Sequence, residues 1–435
     1  MEPVIFHIDV NSAFLSWEAT YRMRELGETE DLRLIPAVVG GSEESRHGIV
    51  LAKSESAKKY GIVTGEPLVD ARRKCPDLVT VPPNFPIYVK YSNQLQDLLK
   101  DYSPDIEQYS IDESFVDMTG TSQLFGPPLE AARKIKDRVQ RELGFTVNVG
   151  ISTNKLLAKM ASDFKKPNLV HTLFPEEIPA KMWPLPVSEL FFVGRQTAKK
   201  LYSLGIFTIG DLANTDKKII HDNLKSHGDV IWEFANGISD SMDKVANKDA
   251  IPANRGYSNE TTIAFDVTDA PTAKAILLSL TETVATRIRA DHSYISVVSV
   301  YMVDNEFKHT SRQITLNSST NVTNEIYDHV CRLFDQLWNG NPFRLLGVHT
   351  SKATNEQLRQ YSLFEGQNIE KLSKLDSAID AIRSKYGEDS VKRASFVRPS
   401  SPLSSAEETS EHNSGNKKNE ILHMTGGLNK AKRET

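Results

Sequence analysis

Three acidic residues carry the first hint of chemistry: Asp9, which ends the apolar run Val4-Ile5-Phe6-His7-Ile8, and the adjacent pair Asp112-Glu113. The run before Asp9 has strand length, and residues 106–118 alternate like two strands that meet at Asp112-Glu113. One sheet holding both segments would gather three carboxylates at one edge. Like charges so close repel unless cations lie between them. Oxygen-only ligands select hard divalent ions, and Mg2+ takes one or two protein carboxylates and completes its shell from water and phosphate. Two such ions about 4 Å apart clamp the attacking and leaving oxygens of an in-line displacement, so the implied chemistry is nucleotidyl or phosphoryl transfer. A plainer alternative stays open: an Asp after a strand is often a cap, and an Asp-Glu pair in a hairpin is often a solvated tip. Lys155, Lys159, Lys165 and Lys166 line a short helix and its exit, where triphosphate oxygens would lie, unless the helix is simply basic and exposed.

The elements that must position these residues follow a readable order. Behind Ser12, the residues Ala13, Phe14, Trp17 and Tyr21 recur at helical spacing. Residues 34–83 are mixed, with strand-like runs at 35–39 and 49–52 and a short helix at 56–60. Ile87, Tyr91, Leu95, Leu98 and Leu99 trace one helical face; a helix over 129–142, a strand over 146–151 and a helix over 154–164 follow the hairpin. Strand, helix, hairpin, helix, strand is the order of a ferredoxin-like sheet with helices on one face, which would bring Asp9 to Asp112-Glu113. Residues 171–240 read as short helices without a strand, 241–254 as a polar linker, and 255–355 as a separate α+β domain. A short helix near 369–386 precedes a tail rich in Ser, Glu, Asn and Lys.

Composition bounds the reading. A chain of 435 residues predicts about three domains, and 39% hydrophobic with 25% charged residues is globular composition. No apolar run approaches the roughly 18 residues of a spanning helix, and Asp9, Glu18 and Glu25 interrupt the N-terminal region, so neither a span nor a signal peptide is expected. Cys75 and Cys331 are the two cysteines, which excludes a disulfide framework or a multi-cysteine metal site and fits a reducing cytoplasm. With a net charge of -5, a nucleic-acid partner would have to be held by local basic patches.

Three segments in order carry a family resemblance: Phe6-His7-Ile8-Asp9-Val10-Asn11, Tyr109-Ser110-Ile111-Asp112-Glu113-Ser114-Phe115, and Val149 to Lys159 continuing through Asp163 to Lys166-Pro167. Together they resemble the signature segments of bacterial Y-family translesion DNA polymerases of the UmuC/DinB type, over most of residues 1–390. The resemblance implies a multidomain α+β right hand. A ferredoxin-like palm (1–13 and 84–170) would carry small fingers (14–83), a helical thumb with a helix-hairpin-helix (171–240) and an α+β little finger (255–355). It implies that Asp9 and Asp112 bind two Mg2+ ions, Glu113 the catalytic one, and the Val10 carbonyl the nucleotide ion. Phe14 matches the steric gate under the sugar, or is ordinary core packing; Lys166 matches the triphosphate lysine. In the fingers, Lys58 stands where many members have arginine and Glu55 where they have a phosphate-contacting tyrosine.

Residues 192–206 resemble a helix-hairpin-helix, with Gly194 and Lys199 as DNA backbone contacts and Phe192 in place of the usual glycine; a simple helical hairpin is the alternative. Arg255 and Arg312 match backbone contacts of the little finger. Gln360-Tyr361-Ser362-Leu363-Phe364 resembles the pentapeptide that binds the bacterial sliding clamp, with Gln360, Leu363 and Phe364 as anchors, or is a tether packed on its own domain. The implied partners are primer–template DNA, deoxynucleoside triphosphates and the clamp, with an accessory subunit or a recombinase filament left open. The implied activity is low-fidelity synthesis past damaged bases in a cytoplasmic, nucleoid-associated enzyme. A non-catalytic accessory subunit of the same shape and a nucleotide cyclase on the same palm sheet are the competing readings.

Overall fold

The computed structural model describes residues 2–42, 46, 48–239, 254–356 and 366–396. They divide into two compact units, one drawn from residues 1–41 and 49–251, the other from 42–48 and 252–435. In the first, β1 (Ile5–Val10) is buried along its length and turns through Ser12, left-handed at φ 47°, into α1 (Ala13–Glu25). A small sheet in the order β3-β2-β4 follows, formed by β2 (Ala37–Gly40), β3 (Val50–Lys53) and β4 (Val79–Val81) with helices α2 (Glu55–Lys58) and α3 (Leu68–Lys74). The chain returns through α4 (Phe85–Leu99), β5 (Ile106–Gln108), β6 (Glu113–Asp117), α5 (Ser122–Phe125), α6 (Pro128–Leu143), β7 (Val147–Ser152), α7 (Lys155–Asp163) and β8 (Val170–Thr172).

The main sheet has the order β5-β6-β1-β7-β8, antiparallel except where β7 meets β8. Its β7-β1-β6-β5 portion is the ferredoxin-like arrangement expected from the sequence. Side chains alternate along β1. Phe6, Ile8 and Val10 join a core with Leu15 and Trp17 of α1, Tyr88 and Leu95 of α4, and Ile135 of α6. His7 points the other way, its Nδ1 lying 2.7 Å from Ser162 Oγ on α7.

Helices on one face only is therefore an expectation the structure corrects, because α7 covers the opposite face. Gly150 is the cause: a Cβ there would lie 1.9 Å from the Ala158 carbonyl oxygen, so only a bare backbone lets α7 sit this close. Assigned with residues 14–83 from sequence, α1 packs instead in the main core, while Val38, Val50, Ile62 and Leu68 form the small sheet's separate cluster. β8, too, is a strand where the sequence suggested none.

Beyond β8, helices α8 (Ile178–Lys181), α9 (Arg195–Ser203), α10 (Ile209–Asn214) and α11 (Lys217–Ala235) enclose Met182, Leu201, Leu212 and Ile231. Leu156, Leu157 and Met160 of α7 belong to this same cluster, whereas Ala158 meets Ile5 and Phe115 of the sheet.

The second unit runs β9 (Ser258–Val267), α12 (Ala270–Ala290), β10 (Ile295–Asp304), β11 (His309–Thr320), α13 (Thr323–Leu337), β12 (Phe343–Ser351) and α14 (Gly366–Tyr386). Its sheet, in the order β11-β10-β12-β9, is antiparallel throughout and buries Val298, Val300, Leu346 and Val348 under α12 and α13. Read as a lone helix before a tail, α14 is docked: Asp376 accepts the Thr323 amide at 2.8 Å, and Asp380 accepts Arg289 Nε at 2.6 Å.

Candidate active site

The register of β1 against β6 sets Asp9 directly opposite Glu113. One residue on, the Val10 amide donates to the Asp112 carbonyl at 3.1 Å, and Ser110 Oγ donates to Asp112 Oδ1 at 2.6 Å, which fixes the hairpin. A cleft of about 400 Å3 opens over these residues. Its lining includes Asp9, Val10, Asp112, Glu113, Phe14, Lys58 and Lys166, which are the palm and fingers residues expected from the sequence. Lys53 and Glu55 also line it.

Asp9 and Glu113 each have an ammonium partner. Lys166 Nζ lies 2.5 Å from Asp9 Oδ2 and 2.9 Å from Asp163, and Lys159 Nζ lies 2.7 Å from Glu113 Oε1. Burial lifts the Asp9 carboxyl above its ordinary value, against the pull of Lys166. Burial also opposes ionisation of Glu113, yet the Lys159 ammonium bonded to it overcomes this and holds that carboxyl well below its ordinary value. Lys166 is disfavoured by burial but raised by Asp9 and Asp163, so it stays charged. Lys155 and Lys159 correct an expectation: both are buried, paired to Glu107 and Glu113, and outside the lining of the cleft. Of the four basic residues on α7 and its exit, Lys166 alone lines it.

His7 was missed as a site residue. Fully buried, it aims Nε2 at Glu113 Oε2 from 3.8 Å, beyond hydrogen-bond reach, and that nitrogen has no other partner. Burial lowers its pKa, which favours the neutral ring. Asn11 and Asn148 were missed as well. Asn148 accepts from Asn11 and the Leu169 amide and donates to the Ser162 and Lys165 carbonyls. This saturated amide pins the loop that carries Lys166.

No group of three acidic, His or Cys side chains among the described residues stands close enough to hold a metal ion. Asp9 and Glu113 are each ion-paired with a lysine, and Asp112 accepts from Ser110. The donor chemistry nevertheless fits: three carboxylates and a backbone carbonyl are hard oxygen ligands suited to Mg2+.

Comparison with known proteins bears on this geometry. Profiles of the impB/mucB/samB family match in chain order: the family itself over residues 8–163, its helix-hairpin-helix motif over 175–206 and its C-terminal domain over 254–363. The DNA polymerase IV of Clostridium acetobutylicum is 46% identical over 395 residues, 91% of this chain and 98% of that protein. The chain belongs to the Y family of DNA polymerases. The DNA polymerase IV 2 of Bacillus subtilis is 36% identical over 91% of this chain and 95% of its own. A Y-family DNA polymerase chimera of Dbh and Dpo4 matches with a TM-score of 0.68 at 22% identity, over 81% of this chain and 100% of that one, and so shares the fold.

In this polymerase the Phe14 ring does two things at once. It stacks on Tyr88 with centroids 4.8 Å apart and it lines the cleft, so core packing and cleft lining are one arrangement. Lys58 is ion-paired with Glu55 across a single helical turn, which keeps the acid in the cleft from standing uncompensated. In the helix-hairpin-helix, Gly194 caps α9 with open space where a Cβ would be, and Lys199 is exposed. Phe192 holds φ 73°, the left-handed conformation that glycine would adopt freely.

In the second unit Arg255 and Arg312 are both exposed. Arg312 pairs with the core residue Val300, so it points to the helix side of edge strand β11 and not to the open face where Ser299, Gln313 and His349 align. The residues expected from the sequence to bind a clamp, Gln360, Leu363 and Phe364, the tail after Ser400 and nearly all of the 241–254 linker lie outside the described residues. No described helix is long and apolar enough to cross a membrane.

Proposed function

We propose that this polymerase adds deoxynucleotides to a primer opposite damaged template bases, with low fidelity, by two-metal nucleotidyl transfer. The observation that carries the reading is the in-register pairing of Asp9 with Glu113 beside Asp112, on the floor of a cleft that also holds Phe14 and Lys166. Two Mg2+ ions bound by Asp9, Asp112, Glu113 and the Val10 carbonyl would supply the clamp on attacking and leaving oxygens. Lys166 would exchange Asp9 for triphosphate oxygens, keeping its charge throughout because Asp163 remains beside it. Lys58 would leave Glu55 for a phosphate, acting as a point charge. Phe14, braced by Tyr88, would leave no room for a 2′-hydroxyl.

Gly194, Lys199, Arg255 and Arg312 would grip the DNA backbone, a contact that fixes position without reading sequence. Gln360, Leu363 and Phe364 would tether the enzyme to the sliding clamp, and the near-neutral charge makes such recruitment useful. Changing Leu363 and Phe364 to Ala is expected to leave extension of a bare primer intact and to abolish stimulation by loaded clamp; surviving stimulation removes the peptide as the tether.

Primer extension on undamaged and abasic templates, with Mg2+ and four deoxynucleotides, tests the main reading. Wild type is expected to extend both templates and Asp112→Ala/Glu113→Ala neither; extension by the double variant would remove the carboxylates from the chemistry.

A further inference from the structure

Lys159 is an enclosed ammonium paired to an acid of the cleft. It is 7% exposed and sits next to Met160, which joins the core of the helical domain. Its Nζ meets Glu113 Oε1 at 2.7 Å, and two aromatic rings close over it, Tyr109 and Phe191, each with its centroid 5.4 Å from the nitrogen. A desolvated cation between ring faces is attracted to both. Tyr109 belongs to the hairpin that carries Asp112 and Glu113, so its contact is local. Phe191 is not local: it lies three residues before Gly194, in the segment that leads into the helix-hairpin-helix helix α9. There the ring stacks on Phe234 of α11 at 6.2 Å, and its amide donates to Met160 Sδ at 3.4 Å.

We propose that Phe191 is a positioning residue for nucleotidyl transfer: seated from the helix-hairpin-helix segment, its ring holds Lys159 in place and thereby fixes the Glu113 carboxylate in one orientation. The contact chain is continuous, Phe191 ring to Lys159 ammonium to Glu113 Oε1, and each member is held by its own element. Loss of the ring frees a long side chain to take other rotamers, and the carboxylate it holds then swings with it. The hairpin that would grip DNA is in this way mechanically joined to a group in the cleft. The inference rests on the proposed role of Glu113.

The test uses the full-length chain with primer–template DNA and compares Phe191→Leu with Phe191→Tyr, which keeps the ring. Single-turnover incorporation is expected to slow about tenfold in Phe191→Leu, within the range of a desolvated cation–ring contact. Nucleotide KM and DNA affinity by fluorescence anisotropy stay at wild-type values, and Phe191→Tyr restores the rate. Mn2+ binding, read from the free-ion spin-resonance signal without nucleotide, weakens in Phe191→Leu and recovers in Phe191→Tyr. A Phe191→Leu rate within twofold of wild type, a Phe191→Tyr as slow as Phe191→Leu, or a loss confined to DNA affinity overturns the inference. Glu113→Gln run in parallel separates the two levels: a normal rate there sinks the reading of the site, whereas a slow Glu113→Gln beside a normal Phe191→Leu sinks only this inference.

Discussion

The main sheet of the first unit and the sheet of the second are built from the same element order, strand, helix, hairpin, helix, strand, and end as opposites. In the first, β1 takes a central place between β6 and β7, and both faces are covered. A polar strand end is thereby driven inside, and Asp9 meets Glu113 in a setting where each acid needs a cation. In the second, the equivalent first strand β9 lies at an edge, helices cover one face, and Ser299, Tyr301 and His349 are left on the other. Strand order, not element order, decides whether a sheet concentrates charge or spreads a polar surface. The proposed division of labour runs between the units: buried charge in the first performs chemistry, and exposed basic residues of the second, Arg255 and Arg312, grip a backbone.

Substitutions in each region sharpen or break that division. Phe14→Ala in the first unit is expected to relax discrimination against ribonucleotides by roughly 100-fold while DNA affinity stays unchanged; steady-state incorporation of each sugar checks it, and unaltered sugar choice removes Phe14 from the gate. Arg312→Ala in the second should weaken DNA binding by roughly threefold and flatten the salt dependence by about one ion, with sugar choice untouched. A sugar effect from Arg312 would show that the regions do not act separately.

The smallest effect concerns stability. Glu113 has its pKa lowered from 4.5 to about 2, so its contribution is fully present above about 4.5 and is lost as pH falls through the folded-state value. In metal-free buffer Glu113→Gln should unfold at lower temperature than wild type at pH 7, with the gap narrowing as pH is taken from about 4.5 toward about 2. A gap independent of pH would mean that the Lys159 contact does not depend on charge.

Much of the first region was legible because its signals are local. Alternation in β1, helical spacing in α4 and α6, and the apolar–acid junction at Asp9 each report one element. The misreadings share a different cause. Lys155 and Lys159 look solvated in a pattern of charges, and only Gly150, which admits α7 to the sheet, turns them inward. A glycine inside a strand is the available signal for such close approach. His7 hid in an apolar run, although its place two residues before Asp9 puts both on one face of the strand. Which face of the second sheet Arg312 takes is set by non-local pairing, which no short window contains.

The division itself is tested most directly by measuring two quantities on the same three proteins, wild type, Asp112→Ala/Glu113→Ala and Arg312→Ala: the single-turnover rate of nucleotide incorporation at saturating DNA, and the affinity for that DNA. The account predicts that the carboxylate variant loses the rate by on the order of 1,000-fold and keeps its affinity, while Arg312→Ala keeps the rate and loses affinity. A carboxylate variant that still incorporates nucleotides, or an Arg312→Ala that binds as wild type but reacts slowly, would contradict it.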